Sequence, residues 1–355
     1  MSSAAAFVDA QRAAGAVLEE ANGLFYAASY GDPEGELCVA RDGAVLVWQP
    51  WRAYLRVTGD ERLTFLHRLL TANVQILRPG DGTAALLLDN RGKIQASLDL
   101  WVGDAAVLLG SAATVIASVA EGLRRYVLRS AVHVDTDPMV SFALIGPRHE
   151  TVAAALGVEP PAAAGQSACG SGLRSLRTRR LPGGFEIALS QPAASELWHA
   201  VCQLTNESVR LAGRDVSEVL RVEAGVPSHG AELTGNELPQ EARLDDAVDF
   251  EKGCYLGQET VARIHYRGHV NRLLCGLRLS AGVAPGATLS GGGRAAGNVT
   301  STAVSDRHGP IGLGYLRREL AGPGGEVQVD DGSTAHVVAL PFDGGARLGA
   351  APQSA

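Results

Sequence analysis

The last quarter of the chain, from Val270 onward, constrains the fold most strongly. Short segments of alternating apolar and polar residues are separated there by Gly, Pro and Asp turns. A period of two indicates strands with one buried face, and the frequent turns keep each strand short. Such a series, about 75 residues long, predicts a small β-barrel or sandwich. The segments are NRLLCGLRLS, GNVTSTAVS, IGLGYLRREL, GEVQVDD and TAHVVALPF.

The residues before the barrel predict a different architecture, in which helices alternate with strands. Residues 1–22 are alanine-rich and predict a helix, and YGDPEGELC predicts a loop that leads to an edge strand. AYLRVTGDERLTFLHRLLTANV predicts a strand and an amphipathic helix, and GTAALLLDNRGKIQASLDLWVGDAAVLLG predicts strands joined by two hairpin turns. ATVIASVAEGLRRYVLRS and AVHVDT predict a helix and a strand. This order is typical of an α+β fold.

A second α+β unit begins at SFALIGP. It contains a low-complexity loop (PPAAAGQSACGSG), a strand (FEIALS) and two helices (AASELWHAVCQL and VSEVLRVEAGVP). The predicted organisation is an N-terminal helix and edge strand (1–50), a first α+β unit (51–136), a second α+β unit (137–268), a barrel (269–345) and a disordered tail (346–355).

Composition and charge narrow the class of protein. The formal charge of −7 is spread along the chain, and the basic segment RSLRTRR has no aromatic residues among its arginines. These features argue against a nucleic-acid partner or a membrane partner. Five cysteines form no CxxC pair, and the N-terminus lacks the features of a signal peptide, so we expect a cytoplasmic protein. No heptad pattern indicates an obligate assembly, and we expect a monomer.

The segment FEKGCYLGQETVAR, residues 250–263, concentrates reactive side chains. It holds Lys252, one of only two lysines in the chain, next to Cys254. A helix is predicted to begin near Gln258, and its positive end, together with Lys252 and Arg263, would favour the thiolate of Cys254. The alternative is that Cys254 is a small buried apolar residue, as most free cysteines are.

Other segments offer further candidate sites. Glu223, in VEAGVPSHGAEL, could bind an amino-heterocycle through two hydrogen bonds or could be solvated. Four potential zinc ligands, His265, His269, Cys254 and Cys275, fit no common zinc template, and we predict no metal site. The segment GGGR lacks the strand–loop–helix context of a phosphate loop, and a hairpin turn is predicted there.

The segment GVPSHGAELTGNELPQEARLDDAVDFEKGCYLGQETVARIHYRG resembles the signature region of the YgfZ folate-binding proteins, relatives of the aminomethyltransferase (T-protein, GcvT) of the glycine cleavage system. KGCY at 252–255 and GQE at 257–259 match every fixed position of the family hallmark K-G-C-Y-x-G-Q-E. VTGDERLTFLHRLLTANVQILRPG, RVEAGVP and GNVTSTAVSDRHGPIGLGYLRREL are similar to other parts of the superfamily, so the resemblance covers about residues 52–342.

The resemblance implies a fold, a cofactor and a function. The fold would be a three-domain aminomethyltransferase-like α+β fold, with two α+β units and a small C-terminal β-barrel around a central hole that holds a tetrahydrofolate. The function would be an accessory role in assembling or repairing iron–sulfur clusters, with client enzymes or assembly proteins as partners. Glu223 occupies the place of the glutamate that holds the pterin ring. The essential hallmark cysteine maps onto Cys254, with Lys252 beside it.

The candidate cofactor-binding residues are Glu223, Arg263, Tyr255 and Gln258, and the candidate catalytic residues are Cys254 and Lys252.

One departure from the aminomethyltransferases concerns their catalytic aspartate. Its place, counted from Gly92, falls at Ala96 or Ser97, neither of which is a useful acid, although Asp99 would share a strand face with Ser97. Two alternatives therefore stay open: a folate-dependent one-carbon transferase or demethylase that uses Asp99, and a non-catalytic scaffold. Whether the protein is an enzyme is left open by the sequence.

Overall fold

The computed structural model describes residues 3–127, 131–161, 167–170, 173–176, 183–204 and 209–344. The chain divides into two compact units. The first comprises Met1–His67, Asn73–Ala85 and Ser97–Ser217, and the second comprises Arg68–Ala72, Leu86–Ala96 and Glu218–Ala355. The predicted segment boundaries and the central hole stay predictions, and the predicted tail (346–355) lies outside the described residues.

Regular elements follow one another closely along the described residues. The helices are α1 (Ser3–Ala13), α2 (Pro33–Asp42), α3 (Arg62–Leu69), α4 (Ala113–Arg124), α5 (His149–Ala155), α6 (Gln191–Leu204), α7 (Arg214–Ala224) and α8 (Gln258–Arg267). The strands before the barrel are β1 (Val17–Ala21), β2 (Leu24–Ser29), β3 (Ala44–Trp48), β4 (Arg52–Thr58), β5 (Gly82–Leu88), β6 (Ile94–Val102), β7 (Ala106–Ala112), β8 (His133–Asp137), β9 (Val140–Ile145), β10 (Ser167–Gly170), β11 (Leu173–Leu176), β12 (Gly184–Leu189) and β13 (Val209–Ala212). The barrel strands are β14 (Arg272–Leu279), β15 (Thr288–Gly291), β16 (Arg294–Ser305), β17 (Gly309–Arg317), β18 (Glu326–Val329) and β19 (Thr334–Val338). Short 3-10 turns lie at Val74–Ile76, Asp245–Ala247 and Arg318–Leu320.

The prediction of one helix over residues 1–22 was wrong. Helix α1 ends at Ala13 because Gly15 adopts a left-handed φ of +87°. The chain then forms a hairpin, in which β1 pairs antiparallel with β2 and Ala21 lies opposite Leu24. Its two turn residues, Asn22 and Gly23, have φ values of 54° and 75°, as a type I′ turn requires.

The prediction of a loop at YGDPEGELC was also wrong, because this segment opens helix α2. Asp32 caps the helix by accepting a hydrogen bond from the amide of Gly35 at 3.0 Å, and Pro33 occupies the first helical position. The strand that follows, β3, is not an edge strand. It is buried along its length, and it pairs with β9 on one side and β13 on the other.

Two sheets organise the first part of the chain. One has the strand order β10-β11-β12-β9-β3-β13, and the other has the order β5-β6-β7-β4-β8. The hairpins predicted between residues 82 and 110 are confirmed as β5, β6 and β7. The low-complexity segment predicted to be a loop contributes strand β10, and RSLRTRR overlaps β11, while residues 177–180 lie outside the described residues.

The predicted C-terminal barrel is confirmed. Its strands close in the order β14-β17-β16-β15-β18-β19. The sequence prediction missed the short strand β15, but the predicted GGGR turn is confirmed, because Gly291 pairs with Arg294 across it. Closure leaves no unpaired sheet edge in the barrel, which removes a site of edge-to-edge association.

The two units have separate apolar cores. In the first, the ring of Phe7 packs edge-on against Trp48, Phe142 and Trp198, with centroid separations of 5.3 to 5.8 Å. In the second, alternate barrel residues such as Leu277, Leu289 and Val299 are fully buried. Among the described residues, no helix has the length and apolar character needed to cross a membrane.

Candidate functional site

The hallmark segment is built on residues that come from distant parts of the second unit. Thr71 is fully buried. Its amide donates to the carbonyl of Leu86, and its hydroxyl oxygen accepts from the amide of Leu86. The same hydroxyl donates to the carbonyl of Ala247 at 2.6 Å. Its own carbonyl accepts from the amide of Asp249 at 3.0 Å. The segment that leads into the hallmark is therefore fixed to the chain that follows α3.

Asp249 shapes the next turn. One oxygen of its carboxylate accepts hydrogen bonds from the amides of Glu251 and Lys252, at 2.9 and 3.0 Å. This pattern is an Asx-type turn, in which an aspartate side chain replaces a main-chain acceptor. The turn directs the side chain of Lys252 into the protein, where only 6% of the residue is exposed.

The ammonium group of Lys252 acts as a structural tie. Its Nζ donates to the carbonyl oxygens of Leu70 at 2.6 Å and Ala72 at 3.0 Å, and it lies 5.1 Å from the ring centroid of Tyr255. Burial lowers the pKa of Lys252 to about 8, although the charge of Asp249 partly opposes the effect. These contacts hold the hallmark against the end of α3, and a catalytic part for Lys252 stays a prediction.

Cys254 lies two residues beyond this tie, and its side chain is exposed. The alternative interpretation, a small buried apolar residue, is therefore wrong for Cys254. It is right for Cys275, which is 1% exposed on barrel strand β14. Among the described residues, no group of three or more His, Cys, Asp and Glu side chains is arranged to hold a metal ion.

Gly257 brings the start of α8 against the β5–β6 turn. It has a φ of +81°, and a methyl group placed on it would lie 2.3 Å from the carbonyl oxygen of Asp89. A methyl group on Gly92, in that turn, would lie 3.2 Å from the carbonyl oxygen of Gly257. Both glycines thus allow a close backbone approach. Gly253 is different, since nothing lies within 4 Å of such a methyl group.

The other predicted hallmark residues differ in exposure. Tyr255 is buried, and burial raises the pKa of Tyr255 to about 12. Gln258 is half-buried at the first position of α8, while Arg263 is exposed one turn further along. The structure therefore buries Lys252 and Tyr255 and exposes Cys254 and Arg263.

Glu223 contacts a different part of the second unit. It lies at the end of α7 and is 7% exposed. Its Oε1 accepts a hydrogen bond from the hydroxyl of Ser305 at 2.6 Å, at the end of strand β16. Its main-chain carbonyl accepts from the amide of Phe342 at 2.9 Å. The interpretation of Glu223 as a solvated surface carboxylate is therefore wrong.

Sequence reasoning missed three buried acids that lie between α7 and the hallmark in the chain, namely Glu232, Glu237 and Glu241. Glu241 accepts from the amide of Leu238 at 3.0 Å and forms ion pairs with Lys93 and Arg272, at 3.6 and 3.4 Å. Beside it, Gln240 donates to the carbonyl of Val261 in α8. One sequence signal was available, because Lys93 is the only other lysine in an arginine-rich chain.

The side-chain oxygen of Gln240 is also notable. It is buried and has no hydrogen-bond partner among the residues that the structure describes. Buried amide oxygens normally have a partner, so this atom marks a position where a bound donor would be favourable.

Asp99, the alternative acid, belongs to a buried network in the first unit. Arg52 donates to the carboxylate of Asp99 at 2.8 Å and to Glu186 at 3.1 Å, and the hydroxyl of Tyr54 donates to Glu186 at 2.6 Å. Burial alone would lower the pKa of Arg52, but Glu186 and Asp99 outweigh burial and raise it. Asp99 is thus the ion-pair partner of a buried arginine.

These features define a class of protein: an α+β fold followed by a closed barrel, with an exposed cysteine ahead of a helix. The model of the glycine cleavage T-protein C-terminal barrel domain matches residues 272–343. The crystal structure of the glycine cleavage system aminomethyltransferase T from Bartonella henselae has the same fold, with a TM-score of 0.87 and 25% sequence identity over 95% of this chain and 96% of that chain.

Sequence relatives agree with the fold. The aminomethyltransferase of Saccharopolyspora erythraea is 31% identical over 310 residues, which cover 81% of this chain and 83% of the relative. A Yersinia enterocolitica protein named tRNA-modifying protein YgfZ is 27% identical over 240 residues, covering 66% of this chain and 69% of the relative. The chain belongs to the aminomethyltransferase family, and YgfZ proteins are among its relatives.

Proposed function

We propose that this protein binds a reduced folate and assists the assembly or repair of iron–sulfur clusters in client enzymes through the thiol of Cys254. The observation that carries the proposal is an exposed thiol on an otherwise fixed segment. Lys252 and Tyr255 are buried on either side of Cys254, and Gly257 holds the start of α8 in place. A reactive group held by rigid neighbours needs little ordering when it meets its partner.

The residues of the second unit suit a folate. The pterin ring presents N–H donors, which a carboxylate or an amide oxygen accepts. Glu223 offers a buried carboxylate of fixed orientation, and the oxygen of Gln240 is a buried acceptor with no partner among the described residues. Tyr255, Gln258 and Arg263 are the further predicted contacts. When bound, tetrahydrofolate or a derivative would supply a carrier of one-carbon units.

A complementation experiment tests the role of Cys254. Cells that lack the gene receive the wild-type protein, Cys254→Ala or Cys38→Ala, and the activity of an iron–sulfur enzyme is measured. Cys38 is a matched control, because it is also an exposed free cysteine but lies in the first unit. We expect Cys38→Ala to restore activity and Cys254→Ala to fail at equal protein levels. Full rescue by Cys254→Ala would contradict the proposal.

A second candidate function is one-carbon transfer, which the aminomethyltransferase relatives favour. The purified protein would be assayed with tetrahydrofolate and glycine-type or methylated amine donors. Turnover that disappears in Asp99→Asn but survives in Glu186→Gln would support Asp99 as the acid. The two variants are matched, because both remove a carboxylate partner of Arg52. Equal losses would indicate damage to the buried network instead.

The alternative of a non-catalytic scaffold is tested by binding alone. A calorimetric titration with tetrahydrofolate distinguishes the scaffold from both folate-dependent functions. Saturable binding supports the folate-dependent functions, and no binding at high micromolar ligand supports the scaffold.

A further inference from the structure

The chain after the last barrel strand returns to the residue that we propose as the pterin ligand. We call Leu340–Asp343 the C-terminal strap. The side chain of Leu340 packs directly on Gly225, where a methyl group would lie 2.9 Å from it. Leu340 and Phe342 also cover Gly276 of strand β14, where a methyl group would lie 2.8 and 3.0 Å from them. The strap therefore packs closely against two glycines of the second unit.

The end of helix α7 provides an acceptor for the strap. Gly225 has a φ of +68°. Its amide donates to the carbonyl of Val222 at 3.0 Å, and the amide of Val226 donates to that of Arg221 at 3.1 Å. This pair of bonds is a Schellman motif, which leaves the carbonyl of Glu223 outside the helix pattern. The amide of Phe342 donates to that carbonyl at 2.9 Å.

The side chain of Glu223 is held by the turn between β16 and β17. The hydroxyl of Ser305 donates to the carboxylate at 2.6 Å. The same hydroxyl oxygen accepts from the amides of Arg307 and His308, both at 3.1 Å. Ser305 is 3% exposed, so its hydroxyl orientation is set by these partners and not by water. Removing the hydroxyl would loosen both the turn and the carboxylate.

The turn and the strap are joined directly. The carboxylate of Asp343 contacts Nε2 of His308 at 2.8 Å and Nη1 of Arg307 at 3.3 Å. Nδ1 of His308 lies 3.3 Å from Nη2 of Arg278, a group that can only donate, so Nδ1 accepts and Nε2 carries the proton given to Asp343. The contacts form a closed ring from the Glu223 side chain through the turn and the strap to the Glu223 main chain.

We infer that the strap and the β16–β17 turn form a clamp that positions Glu223 for its ligand, with Ser305 and Asp343 as positioning residues. The inference rests on the proposed function, because it assigns the ligand at Glu223 to a reduced folate. A clamp on both the main chain and the side chain restricts the carboxylate before binding. Binding therefore costs less conformational entropy, because the carboxylate is already ordered.

A binding cycle tests the clamp. The dissociation constant for tetrahydrofolate is measured by calorimetry for the wild type, Glu223→Gln, Ser305→Ala and the double variant. We expect Ser305→Ala to weaken binding about tenfold and the double variant to bind no more weakly than Glu223→Gln, because Ser305 acts through Glu223. Ser305→Thr keeps the hydroxyl and should restore most of the affinity. Ser280→Ala is the control, since its hydroxyl accepts a barrel amide, that of Thr334 at 3.0 Å, and does not contact Glu223.

Asp343→Ala tests the strap by two measurements, of which the first, hydrogen exchange, needs no ligand. We expect faster hydrogen exchange of the Phe342 amide and folate binding weakened several-fold. If Glu223→Gln weakens binding while Ser305→Ala and Asp343→Ala leave it unchanged, the clamp is refuted and the proposed function stands. If the wild type binds no tetrahydrofolate, the proposed function fails and the clamp has no such ligand to position.

Discussion

The tie made by Lys252 predicts an unusual dependence of stability on pH. The pKa of Lys252 is about 8 in the folded protein, against 10.5 for an ordinary lysine. Between these values the unfolded chain binds one more proton than the folded chain, so stability rises with pH. Below pH 8 both states are protonated, and the folded protein bears the full cost of burying the charge.

The magnitude follows from the shift. At about 1.4 kcal/mol per pKa unit, a fall from 10.5 to about 8 corresponds to roughly 3 kcal/mol. Gly253 and Cys254 beside it are exposed, so water screens part of this effect, and we expect about 1–2 kcal/mol. The free energy of unfolding of the wild type, relative to Lys252→Met, should rise by that amount between pH 8 and pH 10.

Urea unfolding followed by far-ultraviolet circular dichroism measures the effect. Tryptophan fluorescence is unsuitable, because Trp48, Trp51, Trp101 and Trp198 all lie in the first unit and Lys252 in the second. Lys93→Met is the control, since it removes the only other lysine and leaves the tie intact. Parallel pH profiles for the wild type and Lys252→Met would refute the reasoning.

Two further predictions concern stability. Gly257→Ala should lower the free energy of unfolding by about 2–3 kcal/mol, because it forces a methyl group against Asp89 at a φ of +81°, whereas the open position of Gly253 should make Gly253→Ala nearly neutral in the same denaturation assay. Arg52→Met should cost about 3–5 kcal/mol by leaving Asp99 and Glu186 buried without their cation, and Arg12→Met, at an ion pair with Asp9 that is exposed on both sides, should cost about 1 kcal/mol or less. Equal losses within either pair would contradict these assignments.

The barrel was predictable because its signals are local. Alternation and turn residues determine each strand within a few positions, and the pair of glycines after Gly291 determines one hairpin. The N-terminal region was mispredicted although its signals are equally local. Asn22 and Gly23 form the strongest short hairpin signal, and Asp32 with Pro33 is a helix start, but alanine content dominated the interpretation.

The sequence predicted only those parts of the site that depend on residues close together in the chain. The start of α8 at Gln258 follows from one short segment, whereas the sequence left open whether Cys254 is exposed or buried. The partners of Lys252 lie 182 and 180 residues earlier in the chain, and Ser305 lies 82 residues after Glu223. No periodicity in the sequence specifies such pairs, because tertiary packing determines them.

The ion pair of Arg52 and Asp99 shows the same limit of prediction from sequence, because its partners are also far apart in the chain. A shared strand face made Asp99 a reasonable acid, yet its partner lies 47 residues away on β4. A glycine also contributes there, because a methyl group on Gly110 would lie 2.8 Å from the guanidinium of Arg52. Gly110 leaves space for that arginine because it has no side chain, and a hydrophobic pattern in the sequence does not reveal such a space.

The apolar cluster under the C-terminal strap determines where the barrel can be cut from the chain. Val222 of α7 packs there with Leu274, Ile311 and Leu313 of the barrel. A fragment that begins at residue 269 would lose Val222 and expose the apolar surface that it covers, which favours aggregation. A fragment that begins at residue 218 keeps the cluster whole, although it lacks Leu70, Thr71 and Ala72, which hold the hallmark segment. Expression of the barrel as an independent module should therefore include the second half of α7, even though the strands themselves begin some fifty residues later.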